Sequence, residues 1–184
     1  MRTLRVAAPL LIAALAIGGA PSASASTACA SADAMPATAS SAKLATAAAC
    51  LVNQERTRRH LVPLRLNKRL SQAAAGHARD MVARDYFAHD TQGGGNFVSR
   101  IVKTGYVAPH AFPSLGEDLA WGSGTLGTAR EILKGWMNSP GHRANILCRK
   151  FHEMGMGVAI GVPGGDNGMG GATFALDFGS GGRG

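Results

Sequence analysis

The apolar residues of the N-terminal half follow a helical repeat. They recur every three or four positions over about residues 43–59, which predicts a first amphipathic helix. Its apolar face consists of Leu44, Ala47, Ala48, Leu51 and Val52. Asn67 is a favourable N-cap for a second helix that continues to about Asp85. Because Pro63 disfavours helix in the residue before it, we expect an extended link between the two helices.

A group of shorter elements follows the second helix. Asn96 is a suitable cap for a helix over residues 97–104, which Gly105 would terminate. Residues 107–115 contain two prolines and no repeat, so they are expected to form a loop. The glycine-rich residues 116–127 are also expected to form a loop that leads into another helix.

Residues 136–147, with the sequence WMNSPGHRANIL, contain the end of that helix. The helix is expected to begin near Thr125 or Thr128 and to end at Asn138. A Pro-Gly turn is then predicted to redirect the chain, and His142 follows this turn directly.

From Glu153 onward the apolar period changes to two residues, which is typical of a strand. One face consists of Met154, Met156, Val158, Ile160 and Val162, and the other of Gly155, Gly157, Ala159 and Gly161. A face without large side chains predicts that another element packs very closely against it. Phe174, Leu176 and Phe178 alternate in a returning strand, which predicts an antiparallel hairpin. Helices followed by strands predict an α+β layered domain with the sheet between helices.

The first 25 residues have the pattern of a secretory signal peptide, which predicts a secreted protein. They combine two arginines, an apolar run too short to span a bilayer and an Ala-x-Ala site. Residues 26–42 are rich in Ala, Ser and Thr and are expected to form an arm with no core of its own. The predicted organisation is a signal peptide at 1–25, this arm at 26–42, one domain at 43–180 and a short glycine-rich tail at 181–184. No transmembrane segment is expected.

The chain is basic, with a formal net charge of +8 that becomes +6 when Arg2 and Arg5 leave with the leader. Basic residues are concentrated between residues 56 and 69 and could meet anionic cell-wall polymer or lipid headgroups. A solvated face that keeps the protein soluble is the preferred interpretation. Export and few aromatic residues argue against a nucleic-acid partner, and we expect a monomer.

Three cysteines follow the leader, so one thiol must remain after any intramolecular disulfide forms. We favour Cys29–Cys50, because this pair would attach the arm to the first helix, and Cys50–Cys148 is the competing pairing. Cys148 is then interpreted as a buried apolar residue rather than a nucleophile.

Local catalytic motifs are absent from the sequence: there is no H-E-x-x-H, no G-x-S-x-G and no P-loop. Residues 122–127 match G-x-G-x-x-G formally, but no strand clearly precedes them in a βαβ unit, so no cofactor-binding residues are assigned. His77 lies on an apolar helix face and is interpreted as a hydrogen-bonded core residue. The dispersed residues that remain are His89, Glu117, His142 and Glu153. Imidazole and carboxylate groups are ligands that zinc prefers, and imidazoles also transfer protons near neutral pH.

Eight sequence pieces occur in a fixed order between Cys50 and Phe178: CLVNQER, PLRLNKRLSQAAAGHARDM, YFAHD, RIVKTGY, GEDLAWG, GWMNSPGHRANIL, FHEMGMGVAIG and ALDFG. Together they resemble the bacterial branch of the CAP superfamily, also called SCP-like domains. The resemblance implies a three-layer α-β-α sandwich with a central antiparallel sheet. This agrees with the layered α+β domain that the apolar periods predict.

CAP domains typically carry a cleft with two histidines and two acidic residues, which binds a divalent metal in several members. By resemblance, His89, Glu117 and His142 are the matching cleft residues, with zinc the favoured ion. No acid stands near Ser139, where a helix glutamate would fall, and Glu153 is a weaker candidate because it begins a strand. Asp118 replaces the asparagine that usually follows the glutamate.

Other matched residues are expected to be structural. Asn53 and Arg56 would bridge the first helix to a loop, and Arg143 and Asn145 would hold the Pro-Gly turn. Trp136 is large enough to anchor the core behind the cleft.

Three functions are compatible with these features. The leading hypothesis is a secreted binding module whose cleft takes a divalent metal, a small polar or lipid ligand, or cell-wall polymer. One alternative is a hydrolase in which a bound metal activates water against peptide or cell-wall substrate. The other is a structural or interaction protein with a vestigial cleft. The family is functionally diverse, so the fold does not decide between them.

Overall fold

The structure is a computed structural model that describes residues 29–181. The predicted signal peptide therefore lies outside the described residues, as does most of the predicted tail. Five α-helices are described, α1 Ser41–Thr57, α2 Lys68–Ala83, α3 Phe97–Lys103, α4 Ala129–Asn138 and α5 Pro140–Ile146. Four strands are described, β1 Arg65–Leu66, β2 Leu115–Ser123, β3 Glu153–Ile160 and β4 Gly171–Gly179. A 3-10 helix, Gly124–Gly127, joins β2 to α4.

Side-chain caps set the beginnings of four helices, the first of them α1, where Ser40 accepts from Lys43 N. Asn67 accepts from backbone N–H groups in the first turn of α2, and Asn96 accepts from Ser99 N at α3. Thr128 caps α4 through Glu131 N. Each cap satisfies backbone donors that have no partner inside the helix. The two asparagine caps predicted from the sequence are confirmed.

The four strands form one sheet in the order β1-β3-β4-β2. β3 and β4 form the predicted antiparallel hairpin, with Val158 opposite Phe174. β2 pairs antiparallel with the other side of β4, and the two-residue β1 pairs parallel with β3. The sheet is therefore antiparallel apart from this short edge strand.

Helices cover both faces of the sheet, as predicted. On one face, α1 and α4 pack on the large side chains of β3 and β4, including Met156, Phe174 and Phe178. On the other face, α2 lies directly on the glycines of β3. A Cβ atom at Gly157 would lie only 2.1 Å from Ala75 N, and one at Gly155 would lie 2.1 Å from Ser71 N. The close approach predicted from the bare strand face is confirmed, and the fold is a three-layer α-β-α sandwich.

Cys29 and Cys50 are disulfide-bonded, with 5.7 Å between their Cα atoms, which confirms the favoured pairing. The bond attaches the segment before α1 to that helix. Cys29 and Ala32 belong to the main buried apolar cluster, and Arg130 of α4 makes an ion pair with Asp33. Cys148 is a partly buried free thiol.

Arg56 links α1 to the chain after α5. Its side chain is 2% exposed, and its guanidinium donates to the carbonyl oxygens of Val62, Ile146 and Cys148. Asn53 exchanges two hydrogen bonds with the backbone of Leu64. The bridging roles expected for both residues are confirmed.

Two sequence-based expectations about local structure are wrong. The glycine-rich stretch from residue 116 contains β2 rather than only a loop. Residues on both faces of this strand are buried, including the acidic Glu117 and Asp118, so no apolar alternation marks it. The expected Pro-Gly turn is α5, which begins with Pro140 at its first position. Proline is favourable there, because the first backbone N–H groups of a helix need no partner within it.

Asn145 has a different role from the one expected. It donates to Asp118 Oδ1 of β2 at 2.7 Å, while Arg143 contacts Met137 O at the end of α4. Among the described helices, none has the length and apolarity needed to cross a membrane.

Candidate functional site

Glu117 is the buried centre of the candidate site. It lies in β2, and its side chain has no exposed surface. Oε1 accepts from His89 Nδ1 at 2.8 Å, and Oε2 accepts from Arg100 of α3 at 2.5 Å. A carboxylate removed from water needs such charge-assisted partners, so these contacts compensate for its burial.

His89 lies in the loop between α2 and α3, and two side chains bind the backbone beside it. Arg100 donates to His89 O at 2.8 Å, and His77 Nε2 donates to Ala88 O at 2.9 Å. His77 is 1% exposed, so its predicted role as a hydrogen-bonded core histidine is confirmed. The side chain of His89 remains 55% exposed. Its Nδ1 edge is therefore fixed against Glu117, while Nε2 is left for an external group.

His142 lies in α5 and is half-buried. Burial lowers the pKa of its imidazole, and the charge of His89 lowers it further. The two histidines are therefore near enough to interact electrostatically, although they come from a loop and a helix far apart in the sequence. His89 contacts Glu117 directly, and the assembly of His89, Glu117 and His142 into one site stays a prediction.

Two further residues, which the sequence analysis did not single out, contribute to the site. Arg100 binds both Glu117 and the backbone of His89, as described above. Asp177 of β4 lies directly across from Glu117, is 1% exposed, and has no hydrogen-bond partner for either oxygen. Burial, followed by the charge of Glu117, raises its pKa well above the usual range. An isolated acidic residue within an apolar strand, as in FALDFG, was the available sequence signal.

A family model described as the cysteine-rich secretory protein family, CAP, matches residues 50–174, which is more than half of the chain. The chain belongs to the CAP family. It is similar to the uncharacterized protein YkwD of Bacillus subtilis (strain 168), with 35% identity over 58% of this chain and 39% of that protein. The uncharacterized membrane protein YlbC of the same strain is 32% identical over 59% of this chain and 29% of its own length.

Solved structures of other CAP or SCP proteins have the same fold. An extracellular protein containing an SCP domain from Bacillus anthracis str. Ames matches with a TM-score of 0.61 and 26% identity, over 77% of this chain and 41% of that one. A cysteine-rich secretory protein from Staphylococcus aureus subsp. aureus Mu50 matches with a TM-score of 0.57 and 17% identity, over 78% of this chain and 40% of that one. The chain thus spans about two fifths or less of the length of each of these four relatives.

Neither of the two predicted acidic candidates, Glu117 and Glu153, presents an unpaired carboxylate. Both oxygens of Glu117 already have donors, one of them the guanidinium of Arg100. Glu153, the weaker candidate, binds Tyr106, Asn67 and Arg65 at the beginning of β3. Within residues 29–181, no group of three or more His, Cys, Asp or Glu side chains is arranged to hold a metal ion.

The Glu117 carboxylate is buried and already accepts from His89 and Arg100, so as a zinc ligand it would have to use a remaining lone pair of one of these oxygens. Zinc binding by His89, Glu117 and His142 therefore stays a prediction. His89 and His142 are the two residues that would remain as ligands, because imidazole nitrogen is a common zinc ligand.

Proposed function

We propose that this CAP domain is an extracellular binding module whose cleft takes polar peptidoglycan fragments at His89 and His142. The observation that carries the proposal is the buried Glu117 carboxylate, which holds one edge of His89 and leaves the rest of that side chain exposed. The descriptions of two structural relatives as extracellular or secretory support the location.

The site is preorganised for hydrogen bonding. His89 is fixed through its ring by Glu117 and through its backbone by Arg100. A side chain held in place before binding loses little conformational entropy when a ligand arrives. His142 has a lowered pKa, so its neutral imidazole offers one donor and one acceptor near neutral pH.

The charge of the chain favours a ligand that carries carboxylates. The formal net charge is +8 for the full chain and +6 without the predicted leader, and the Glu117 carboxylate is already paired with Arg100. Peptidoglycan fragments carry sugar hydroxyls and the carboxylates of their stem peptides. The imidazoles can hydrogen-bond the hydroxyls, and the positive charge of the chain attracts the carboxylates. Binding requires only the residues described here, whereas metal-dependent hydrolysis would need a third ligand.

The test is a binding titration with soluble muropeptides, the fragments that a muramidase releases from peptidoglycan. Imidazole resonances of His89 and His142 should shift on addition of the muropeptides. Substituting either residue, His89→Ala or His142→Ala, should weaken binding at least about tenfold, which corresponds to about 1.4 kcal/mol. His152→Ala is the matched control, because that histidine is exposed and should leave the affinity unchanged. Absence of binding by the unsubstituted protein, or equal affinities for all variants, would refute the proposal.

A further inference from the structure

Two neighbouring cavities share part of their lining on β2 and the 3-10 helix. One cavity, of about 310 Å³, lies between β2 and α4, and His142 is among its lining residues. A second cavity, of about 650 Å³, lies between the 3-10 helix and the loop after β3, where Met169 contributes to its wall. Trp121 and Leu126 line both cavities, so the two form one surface, which we call the Trp121 groove.

The Trp121 groove concentrates exposed apolar side chains. Trp121 is 48% exposed, Leu126 is 65% exposed and Met169 is 57% exposed. Single exposed apolar residues are common on protein surfaces, but a concave cluster that includes tryptophan is typical of a binding site. Beside these residues lie Asp166 and Asn167. Asp166 Oδ1 accepts from Gly168 N, so its second oxygen can accept from a ligand hydroxyl.

The groove is not built to accept a peptide strand along β2. Trp136 Nε1 already donates to Leu119 O of this strand at 3.1 Å. A Cβ atom at Gly122 would lie 2.3 Å from Leu126 O, which shows how closely the 3-10 helix covers the same strand. Addition of a peptide strand depends on backbone hydrogen bonds to the edge strand. At Leu119 and Gly122, the side chain of Trp136 and the 3-10 helix block such bonds.

The chemistry of the lining selects among the remaining occupants. An anionic polymer would meet the carboxylate of Asp166 in one cavity and, in the other, that of Glu131, which is paired with Lys134. An acyl chain has no hydrogen-bonding groups for the second oxygen of Asp166 or the amide of Asn167. A neutral saccharide chain has apolar ring faces that can stack on the indole of Trp121. It also has hydroxyl groups that can bind the carboxylate of Asp166 and the amide of Asn167.

We propose that the Trp121 groove binds a neutral saccharide chain, with one sugar ring stacked on Trp121 and neighbouring hydroxyls bound by Asp166 and Asn167. This adds a site beside the imidazole cleft and does not require the cleft itself to bind a ligand. The sugar class involved is a neutral, linear polysaccharide, for which short β-1,4-linked oligosaccharides are suitable probes.

The chain contains only two tryptophans, which makes fluorescence a direct measurement. Trp136 is 1% exposed and Trp121 is half-exposed, so a sugar that covers Trp121 should shift the emission to shorter wavelength. We expect this shift on titration of the secreted protein with chitohexaose or cellohexaose. Trp121→Ala should remove the shift and weaken binding, measured by calorimetry, at least about tenfold. Trp121→Phe should retain much of the affinity, because it keeps an aromatic face.

Phe112→Ala is the matched control, because Phe112 is an aromatic side chain that is 97% exposed. Its affinity for the sugars should equal that of the unsubstituted protein. Failure of both oligosaccharides to bind, equal binding by Trp121→Ala, or preferential binding of a basic peptide would overturn the proposal. Sugar binding that survives in His89→Ala but not in Trp121→Ala would support the groove even if the muropeptide titration failed.

Discussion

Asn145 of α5 donates a hydrogen bond to one oxygen of Asp118, and the other oxygen of that carboxyl group is buried without a partner. Asp118 is fully buried in β2 and follows Glu117 directly. Burial is the main cause that raises its pKa to about 7; the bond from Asn145 lowers it, and the charge of Glu117 raises it. CAP domains usually have asparagine at this position, and an amide would satisfy the same contact without a charge.

Asp118→Asn should therefore change how stability depends on pH. The folded-state pKa lies above that of an unfolded aspartate, about 3.9, so the protonated form is favoured by folding. This contribution is complete below about pH 4 and is lost as pH rises through about 7, and it amounts to roughly 4 kcal/mol. In urea unfolding from pH 4 to 9, the variant should lose less stability with rising pH than the unsubstituted protein. Asp90→Asn, at an exposed position, should show the original profile, and an equal slope for both variants would contradict the prediction.

His77→Phe should loosen the segment that carries His89. An aromatic ring is kept, but the donor to Ala88 O is lost, at a cost of about 1 kcal/mol for a partly buried hydrogen bond. Hydrogen exchange of the backbone around His89 should accelerate in the variant. The buried Leu64, remote from this loop in sequence, offers a control amide whose exchange should follow only the global change in stability.

The same substitution should reduce acid sensitivity. Burial is the first cause that lowers the pKa of His77, and the charge of Arg100 adds to it. His77 therefore binds a proton more tightly in the unfolded chain than in the folded protein. As a result, the protein loses stability as pH falls from about 6.5 towards the folded-state pKa. The unfolding free energy of His77→Phe should fall less over this acidic range than that of the unsubstituted protein. An identical acidic slope would show that His77 does not contribute.

Gly157→Ala should destabilise the fold strongly. The added methyl group would lie 2.1 Å from Ala75 N and 2.3 Å from Ala74 C, and these are backbone atoms of α2 that do not rotate away. Separating the helix from the sheet should cost at least about 2 kcal/mol in denaturant unfolding. Gly76→Ala, on α2, should have the opposite effect, because nothing lies within 4 Å of the Cβ atom that it adds. It should raise stability by up to about 1 kcal/mol, since alanine favours helix.

Arg56→Lys should also destabilise the protein, although the charge is kept. One guanidinium binds three carbonyl groups from two segments, and an ammonium group does not reproduce that planar arrangement. We expect a loss of about 2 kcal/mol in the free energy of unfolding. Arg58→Lys, at the exposed residue that directly follows the same helix, should change stability by less than about 0.5 kcal/mol. Similar losses in both variants would contradict the role assigned to Arg56.

The sequence by itself determined most of the elements and their layers. Apolar positions at helical spacing mark α1, and the asparagines before α2 and α3 mark where those helices begin. The glycine face of β3 predicted the close approach of α2, because no other residue leaves room for a backbone at that distance. Local repeats and caps act within a few residues, so they can be recognised without the fold.

Only the tertiary structure decided the environment of the acidic residues. β2 was missed because its two faces are buried under different helices, which removes the alternation that identifies most strands. Arg100, Asp177 and Asn145 meet Glu117 and Asp118 through strand pairing and helix packing across long stretches of the chain. Spacing along the sequence carries no information about such contacts. Whether a carboxyl group is charged depends on the water and partners that packing leaves around it, so it is a property of the folded protein.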